Sequence, residues 1–219
     1  MYSVVLFDFD FTLVDSSEGI IACIKYAFRK MGKSIPDDEK IRKTIGMSLD
    51  DAFIELCGDR NESSIELFKN LFKGKSKGVM CQLTEIYNDT VEVLKQVFDA
   101  GIKIAIVSAK DKPTIKKIAI KFGFFQYIDM IVGEDEIENS KPYPDQVEFV
   151  LNEINVGNKS ALYIGDSLID ALTAENAKVD FLAITTGTTT VDEFKRVKRV
   201  AIISRLADSV DYLLEKSNI

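Results

Sequence analysis

Short apolar runs alternate with amphipathic segments along most of this 219-residue chain, and this alternation limits the possible folds more than any other feature. The apolar runs predict strands at 3–8, 102–107, 128–132, 160–164 and 180–184, with a weaker one at 200–203. The amphipathic segments predict helices near 88–99, 112–122, 144–154, 168–177 and 207–215. Such alternation is typical of an α/β fold with a mainly parallel sheet flanked by helices.

One long segment interrupts the alternation, because residues 17–82 show helical patterns and no convincing strand. We therefore expect a helical cap domain at 17–82, inserted into a catalytic core formed by 1–16 and 83–219. Hinges between the two are expected near 15–17 and 81–84. Within the insertion, the glycine- and lysine-rich residues 73–78 are expected to form a mobile basic loop.

The charge of the insertion differs from that of the remainder. Residues 16–82 contain 12 basic and 10 acidic residues, whereas the remaining residues contain 16 basic and 25 acidic ones. A mildly basic cap over an acidic core would suit an anionic substrate, although ordinary solvated helix faces explain the difference equally well.

The composition disfavours several classes of function. A net charge of −7 argues against non-specific binding to nucleic acid or to anionic membranes. No apolar stretch is long enough to span a membrane, and no basic segment precedes the first strand, so a cytoplasmic location is expected. The three cysteines lack zinc-site spacing and are expected to be reduced. There is no histidine, so acid–base catalysis must use carboxylates, lysine, tyrosine or cysteine.

Two aspartates, Asp8 and Asp10, stand where the first apolar run ends. Two carboxylates this close together at the edge of an apolar core are costly unless something compensates their charge. A divalent cation is the natural compensator, because hard cations take oxygen ligands. The pair therefore offers a metal site, a nucleophile and a proton-transfer group, and it predicts an enzyme.

Further polar residues follow three later strands. Ser108 comes after the second predicted strand, Lys141 lies in the loop after the third, and Asp166 and Asp170 follow the fourth. Because parallel sheets bind ligands at the carboxyl ends of their strands, we expect these residues to share one site with the aspartate pair. Taken singly, Ser108 could be a helix cap, Lys141 a solvated lysine, and Asp170 a charge at a helix start.

With these motifs the chain resembles members of the haloacid dehalogenase superfamily, and the resemblance extends over the whole chain. The branch it resembles is the phosphatase branch, which has a Rossmann-like core and a helical cap after the first strand. The first family motif is matched by Asp8, Asp10 and Thr12, the second by Ser108, the third by Lys141, and the fourth by Asp166 and Asp170. Residues 186–187, 42–46 and 141–144 are similar to phosphoglycolate phosphatase-like and pyrophosphatase-like enzymes.

The resemblance implies a Mg²⁺-dependent phosphatase. Asp8 would attack phosphorus and become an aspartyl phosphate, while Asp10 would protonate the leaving oxygen and then activate water. Mg²⁺ would be held by the Asp8 carboxylate, the Asp10 main-chain carbonyl and Asp166. Asp170 is a further candidate near the metal, where it would orient a metal-bound water or Lys141.

The substrate implied by the resemblance is a small phosphorylated metabolite, such as a phosphoglycolate-like monoester or pyrophosphate, with nucleoside monophosphates and sugar phosphates as open alternatives. Its phosphate would be bound by Ser108, by neighbouring amides such as that of Ala109, by Lys141 and by Thr12. Arg42 is the best candidate from the cap for reaching the substrate, although a surface arginine on a helix is an equal alternative. A monomer is favoured over a homodimer.

The chain departs from the family pattern at Phe11, where glycine is usual, and at Ala109, where asparagine is common. A phosphomutase of the same superfamily would use a histidine on the first cap helix, where this chain has Ile20. A dehalogenase would lack the second aspartate, and a phosphonatase would need a Schiff-base lysine in the cap. A non-catalytic phosphate-binding protein would have lost the nucleophile or the metal ligands.

Overall fold

A six-stranded parallel sheet lies at the centre of the computed structural model, which describes residues 2–214. Its strands are β1 (Val4–Phe7), β4 (Lys103–Val107), β5 (Met130–Val132), β6 (Ala161–Gly165), β7 (Asp180–Ile184) and β8 (Ala201–Ile203). A separate antiparallel pair consists of β2 (Val14–Asp15) and β3 (Glu85–Ile86). The strand order β5-β4-β1-β6-β7-β8 confirms the predicted fold class.

Helices fill the connections between the strands. Four of them lie between β2 and β3: α1 (Ser17–Lys30), α2 (Asp38–Arg42), α3 (Leu49–Cys57) and α4 (Glu62–Leu83). The others are α5 (Thr90–Asp99), α6 (Lys112–Lys121), α7 (Asp145–Ile154), α8 (Leu168–Asn176), α9 (Val191–Phe194) and α10 (Ser209–Leu214). Residue 215, the predicted end of the last helix, lies outside the described residues. Within residues 2–214, no helix combines the length and the apolar character needed to cross a membrane.

Both faces of the sheet are buried, which explains why its strands are apolar throughout. In β1, Val5 and Phe7 belong to the apolar cluster on one face, whereas Val4 and Leu6 belong to the cluster on the other. All four side chains are inaccessible to solvent. A parallel sheet covered by helices on both faces has this pattern, in contrast to the alternating pattern of a half-exposed sheet.

The strand order reverses direction between β1 and β6. From β1 the chain adds β4 and β5 on one side of the sheet, and β6, β7 and β8 on the other. The connections therefore diverge at this point and leave a crevice at the carboxyl ends of β1 and β6, where open α/β sheets bind ligands. Asp8 follows β1 and Asp166 follows β6, so both stand at this crevice.

The prediction of a mobile loop at 73–78 is wrong, because these residues form part of the long helix α4. Phe68, Phe72, Ser76 and Met80 are buried along one stripe of this helix at a spacing of four residues. Glycine inside a helix costs about 1 kcal/mol relative to alanine. Burial of this stripe outweighs the weak helix propensity of the two glycines in the segment.

The start and the end of the helical segment between β2 and β3 lie side by side in the structure. In the β2–β3 pair, Val14 is paired with Ile86. Beside this pair, the Thr84 hydroxyl donates a hydrogen bond of 3.1 Å to the Ser16 hydroxyl. The Lys121 ammonium donates to the Cys81 carbonyl at 2.6 Å. The two expected hinge segments are therefore side by side, and the division into two domains stays a prediction.

Candidate active site

Lys141 joins two carboxylates at the carboxyl edge of the sheet. Its Nζ donates to Asp8 Oδ1 and to Asp170 Oδ1, with both distances 2.7 Å. The three side chains are at most 3% exposed. Asp8 comes from the end of β1, Lys141 from the loop before α7, and Asp170 from the first turn of α8. Residues up to 162 positions apart in the sequence thus form one buried charged group.

Asp170 is held by protein donors at both of its carboxylate oxygens. Besides Lys141, the Tyr163 hydroxyl donates to Oδ1 at 3.2 Å. The Ser167 amide and hydroxyl donate to Oδ2 at 3.1 and 2.6 Å. Ser167 is the N-cap of α8, so the same contacts form a capping box. Asp170 therefore fixes Lys141 rather than standing free for a ligand.

Asp166 completes a cluster of three buried carboxylates. Single oxygens of Asp8, Asp166 and Asp170 lie within 4.8 Å of one another. The Thr12 hydroxyl lies 3.4 Å from Asp166 Oδ1. Gly187 approaches Asp166 so closely that a Cβ at this position would be 1.8 Å from Asp166 Oδ2. Only glycine fits there, so the loop after β7 is shaped around this carboxylate.

Burial and like charge make Asp8 and Asp166 hard to ionise without a further cation. Burial raises the pKa of Asp8 to about 7, against the opposing effect of the Lys141 charge. Burial and the charges of Asp170 and Asp8 raise the pKa of Asp166 well above its usual range. Burial acts to lower the pKa of Lys141, but the charges of Asp170 and Asp8 raise it well above its usual value.

The cluster suits a divalent metal ion in both its donor atoms and its charge. Three ionised carboxylates against the single charge of Lys141 leave a surplus of two negative charges in a buried space. Carboxylate oxygens are the hard donors that Mg²⁺ and similar cations prefer. Because both Asp170 oxygens accept hydrogen bonds from protein donors, Asp8 and Asp166 are the members best placed to bind such an ion.

Asp10 is paired with a lysine that the motif comparison did not single out. Lys110 Nζ lies 3.0 Å from Asp10 Oδ2, and both side chains are less than 10% exposed. The other oxygen, Asp10 Oδ1, is buried and has no hydrogen-bond partner among the described residues. An unpaired buried carboxylate oxygen is costly. A ligand or water molecule that donates a hydrogen bond to this oxygen would satisfy it.

The second motif lies in the loop after β4. Ser108 is 2% exposed, and its hydroxyl accepts a hydrogen bond of 3.2 Å from the Lys110 amide. The buried Gln146 side chain donates to the Ser108 carbonyl at 3.0 Å and so attaches the loop to α7. Ala109, between Ser108 and Lys110, lines a cavity beside the site. The loop presents a hydroxyl and main-chain amides beside the carboxylates.

Phe11 has a φ of 61°, in the left-handed region that favours glycine. A non-glycine residue pays roughly 1–2 kcal/mol for this conformation. Phe11 is nevertheless 5% exposed and packs into the larger apolar cluster, and its carbonyl accepts a hydrogen bond from the Thr186 hydroxyl. Burial of the ring offsets the backbone strain, which explains how the usual glycine can be replaced here.

A cavity of about 290 Å³ opens beside these residues, between the helical segment and the loops after β1, β4 and β5. Asp10, Ala109 and Lys110 line it from the sheet side. Side chains from α1, α3, α4 and the segment after α2 line it from the opposite side. The cavity thus has charged side chains from the sheet edge at one end and the helices at the other.

Arg42 does not belong to the lining of this cavity. Its guanidinium donates to Ser17 Oγ at 2.6 Å and to Glu18 Oε1 at 2.8 Å, at the start of α1. About one third of the side chain is exposed. A role for Arg42 in reaching the substrate stays a prediction.

Three residues that organise the site escaped the sequence reasoning: Tyr163, Gln146 and Lys110. Tyr163 and Gln146 act through hydrogen bonds between elements that are distant in the sequence, and no local sequence pattern predicts such contacts. Lys110 lies two residues after Ser108, in the loop that follows the second predicted strand, so its position was a usable signal.

A family model, curated relatives and solved structures all indicate the same protein family for this chain. The model of the haloacid dehalogenase-like hydrolase family matches residues 5–184. The pyrophosphatase PpaX of Halalkalibacterium halodurans is 30% identical over 80% of each chain. A phosphoglycolate phosphatase of Psychrobacter arcticus is 26% identical over 96% of this chain and 95% of its own. A solved structure from Bacteroides fragilis, described as a haloacid dehalogenase-like hydrolase, superposes with a TM-score of 0.93 at 33% identity, covering 95% of this chain and 99% of its own.

Proposed function

This chain belongs to the haloacid dehalogenase-like hydrolase family, and on that premise we propose that it is a Mg²⁺-dependent phosphatase acting through an aspartyl phosphate on Asp8. That it is a phosphatase is supported by relatives named phosphoglycolate phosphatase and pyrophosphatase. The proposed substrate is a small phosphorylated metabolite, such as a phosphate monoester or pyrophosphate.

The observation that carries this proposal is the contact between Lys141 and Asp8 at the reversal point of the sheet. A buried carboxylate with a directly bound ammonium group and an adjacent acidic cluster is equipped to attack phosphorus. The ammonium holds the orientation of Asp8 and offsets charge when a phosphate dianion approaches. A merely structural ion pair would not need two further carboxylates in the same buried space.

The proposed reaction has two steps. In the first, an Asp8 oxygen forms a bond to phosphorus while the bond from phosphorus to the leaving oxygen breaks, and Asp10 gives that oxygen a proton. In the second, Asp10 takes a proton from water, the water oxygen attacks phosphorus, and the acyl phosphate bond breaks to release inorganic phosphate and the Asp8 carboxylate. No histidine is needed, because Asp10 serves as acid and then as base.

The remaining residues bind the phosphate and the metal. Ser108, the Ala109 amide and Thr12 are proposed to donate hydrogen bonds to the phosphate oxygens, and Lys141 to offset their charge. Asp8, the Asp10 main-chain carbonyl and Asp166 are proposed to hold Mg²⁺. Bound there, the ion would reduce repulsion between Asp8 and the phosphate and stabilise charge in the transition state.

The helices α1–α4 are proposed to form the cap domain over this site, with residues 1–16 and 83–219 as the catalytic core. Water must be excluded during attack by Asp8 and admitted for hydrolysis, so we propose an opening and closing motion about the paired segments near β2 and β3. The contact between Lys73 on α4 and Glu134 after β5, at 3.2 Å, joins the cap to the core in the closed arrangement.

Phosphate release from p-nitrophenyl phosphate tests the proposal, with Mg²⁺ and with EDTA, for the wild type and Asp8→Asn. We expect metal-dependent release by the wild type and a loss of at least about a thousandfold in the variant. Asp192→Asn is the matched control, because Asp192 is 80% exposed and forms a surface ion pair with Lys195. Full activity in Asp8→Asn, with the control also active, would refute Asp8 as the nucleophile.

The phosphomutase alternative finds no support at the position where it would need a histidine. Ile20 lies on α1 and lines the cavity, so no proton-transfer group stands there. A sugar-phosphate isomerisation assay separates this alternative from hydrolysis. Binding of a phosphate compound without any turnover would instead favour a non-catalytic binding protein.

A further inference from the structure

We propose that the substrate is the phosphate monoester of a largely apolar alcohol, with the apolar group seated in the cavity between the sheet edge and helices α1, α3 and α4. This inference rests on the proposed phosphatase function and specifies the leaving group. It differs from the compounds in the relatives' names, because phosphoglycolate and pyrophosphate each carry a second anionic group beside the phosphate being cleaved.

The walls contributed by the helical segment are mainly apolar, with Thr44, Ser76 and two lysines as the polar exceptions. The cavity is lined there by Ile20, Ile24, Ile45, Leu49, Phe72 and Met80. Most of these side chains are less than 10% exposed, so they form the wall of an internal cavity and not an exposed hydrophobic patch. Apolar walls favour an apolar ligand group at about 25 cal/mol for each Å² removed from water.

The opposite end of the same cavity is the reacting end. Asp10, the proposed proton donor to the leaving oxygen, lines the cavity together with Ala109 and Lys110. An alcohol oxygen protonated by Asp10 would therefore carry its organic group away from the carboxylates and toward the helices. This continuity places the leaving group, and not the phosphate, in the apolar part.

The charges around the cavity do not favour a second anion, because the lining has one more acidic side chain than it has lysines. Three lysines and four acidic side chains are among the lining residues. Lys110 is paired with Asp10, and Lys73 with Glu134. The Asp111 carboxylate caps α6 by accepting from the Thr114 amide. Lys77, the third lysine, is exposed and forms no ion pair among residues 2–214. A second carboxylate or phosphate on the substrate would therefore have to bind Lys77 at the solvent-exposed rim, or displace one of the buried pairs in a desolvated space.

The size of the cavity limits the leaving group. A volume of about 290 Å³ is comparable to about ten water molecules at roughly 30 Å³ each. An organic group of about ten non-hydrogen atoms therefore fits, which allows a medium-length alkyl chain or an aromatic ring with a short substituent. Longer groups would require the helices to move.

A homologous series tests the inference in the presence of Mg²⁺: methyl, butyl, hexyl and dodecyl phosphate, with phenyl phosphate, phosphoglycolate and pyrophosphate. Burial of one methylene corresponds to about a fourfold gain in affinity. We expect kcat/KM to rise by about 50-fold from methyl to butyl phosphate, to rise further to hexyl phosphate, and to fall for dodecyl phosphate. Hexyl and phenyl phosphate should exceed both phosphoglycolate and pyrophosphate.

Two variants at one lining position make the test specific to the cavity. Leu49 is half-buried and lines the cavity, so Leu49→Phe should reduce kcat/KM for hexyl phosphate at least tenfold and leave methyl phosphate within about twofold. Leu49→Asn should flatten the dependence on chain length without filling the space. Leu67→Phe is the control, because Leu67 is 50% exposed and is not a lining residue.

The outcomes separate the two proposals. Hydrolysis of every compound with no gain from chain length, or with phosphoglycolate or pyrophosphate preferred, would overturn this inference and leave the phosphatase proposal standing. A chain-length dependence that is unchanged in both Leu49 variants would place the apolar group elsewhere and also overturn it. If no compound is hydrolysed although a thermal melt shows that the protein is folded, the phosphatase function and this inference are overturned together.

Discussion

Replacing Lys141 by methionine should reveal how strongly the acidic cluster depends on its single cation. Methionine keeps the length and apolar volume of the side chain but removes the charge that contacts Asp8 and Asp170 at 2.7 Å. Removing one partner of a buried ion pair typically costs about 3–5 kcal/mol, because the remaining charge is buried without compensation. Two lost charge-assisted hydrogen bonds, at about 1.5–3 kcal/mol each, give a similar total.

The expected loss in Lys141→Met is therefore about 3–5 kcal/mol in the free energy of unfolding, for the metal-free protein at pH 8. The loss should depend on pH through Asp8, whose pKa is raised from 3.8 to about 7 in the folded protein. A carboxyl group with a raised pKa stabilises the folded state below the unfolded value and loses that contribution as pH rises through the folded one. At pH 5.5 Asp8 is largely protonated, so the loss should be about half as large, since only the Asp170 pair then remains.

Urea denaturation at pH 5.5 and pH 8, in EDTA and with Mg²⁺, provides the measurement. Mg²⁺ should recover part of the lost stability in Lys141→Met, because a bound cation replaces part of the missing charge. Lys195→Met is the matched control: Lys195 is 59% exposed in its pair with Asp192, and its loss should stay within about 0.5 kcal/mol. A loss below about 1 kcal/mol for Lys141→Met that is the same at both pH values would refute this account of the cluster.

Three further outcomes follow from the same geometry. Gly187→Ala should weaken Mg²⁺ binding at least tenfold by calorimetry, because the new methyl group would displace the Asp166 carboxylate; unchanged affinity would mean that Asp166 is not a ligand. Mg²⁺ affinity should fall at least tenfold for each pH unit below 7, since Asp8 and Asp166, whose pKa values are both raised, must lose their protons to bind the ion, and a flat profile between pH 5.5 and 7 would contradict this. Solution scattering should show a more compact protein with a phosphate mimic than without, and Glu134→Gln, which removes the contact to Lys73, should reduce that difference; one unchanging shape would count against a moving cap.

The fold class was predictable because the requirement that produces it is local. Every residue of β1 must be apolar when helices cover both faces of the sheet, and the run at Val4–Phe7 shows this directly. The predicted strands differ from the observed ones by two residues or fewer at either end. The boundaries of α4 were harder, because Gly74 and Gly78 suggest a break that burial of Phe72 and Met80 overrides.

The sequence by itself determined which carboxylates and which lysine could share a site, because parallel strands bring the residues that follow them to one edge of the sheet. Only the tertiary structure decided how those charges are paired: Lys141 contacts both Asp8 and Asp170, Tyr163 donates a hydrogen bond to Asp170, and Lys110 is paired with Asp10. It also decided the shape of the apolar cavity. Such features depend on the mutual positions of several distant elements, and interactions of that kind leave no periodic trace along a single chain.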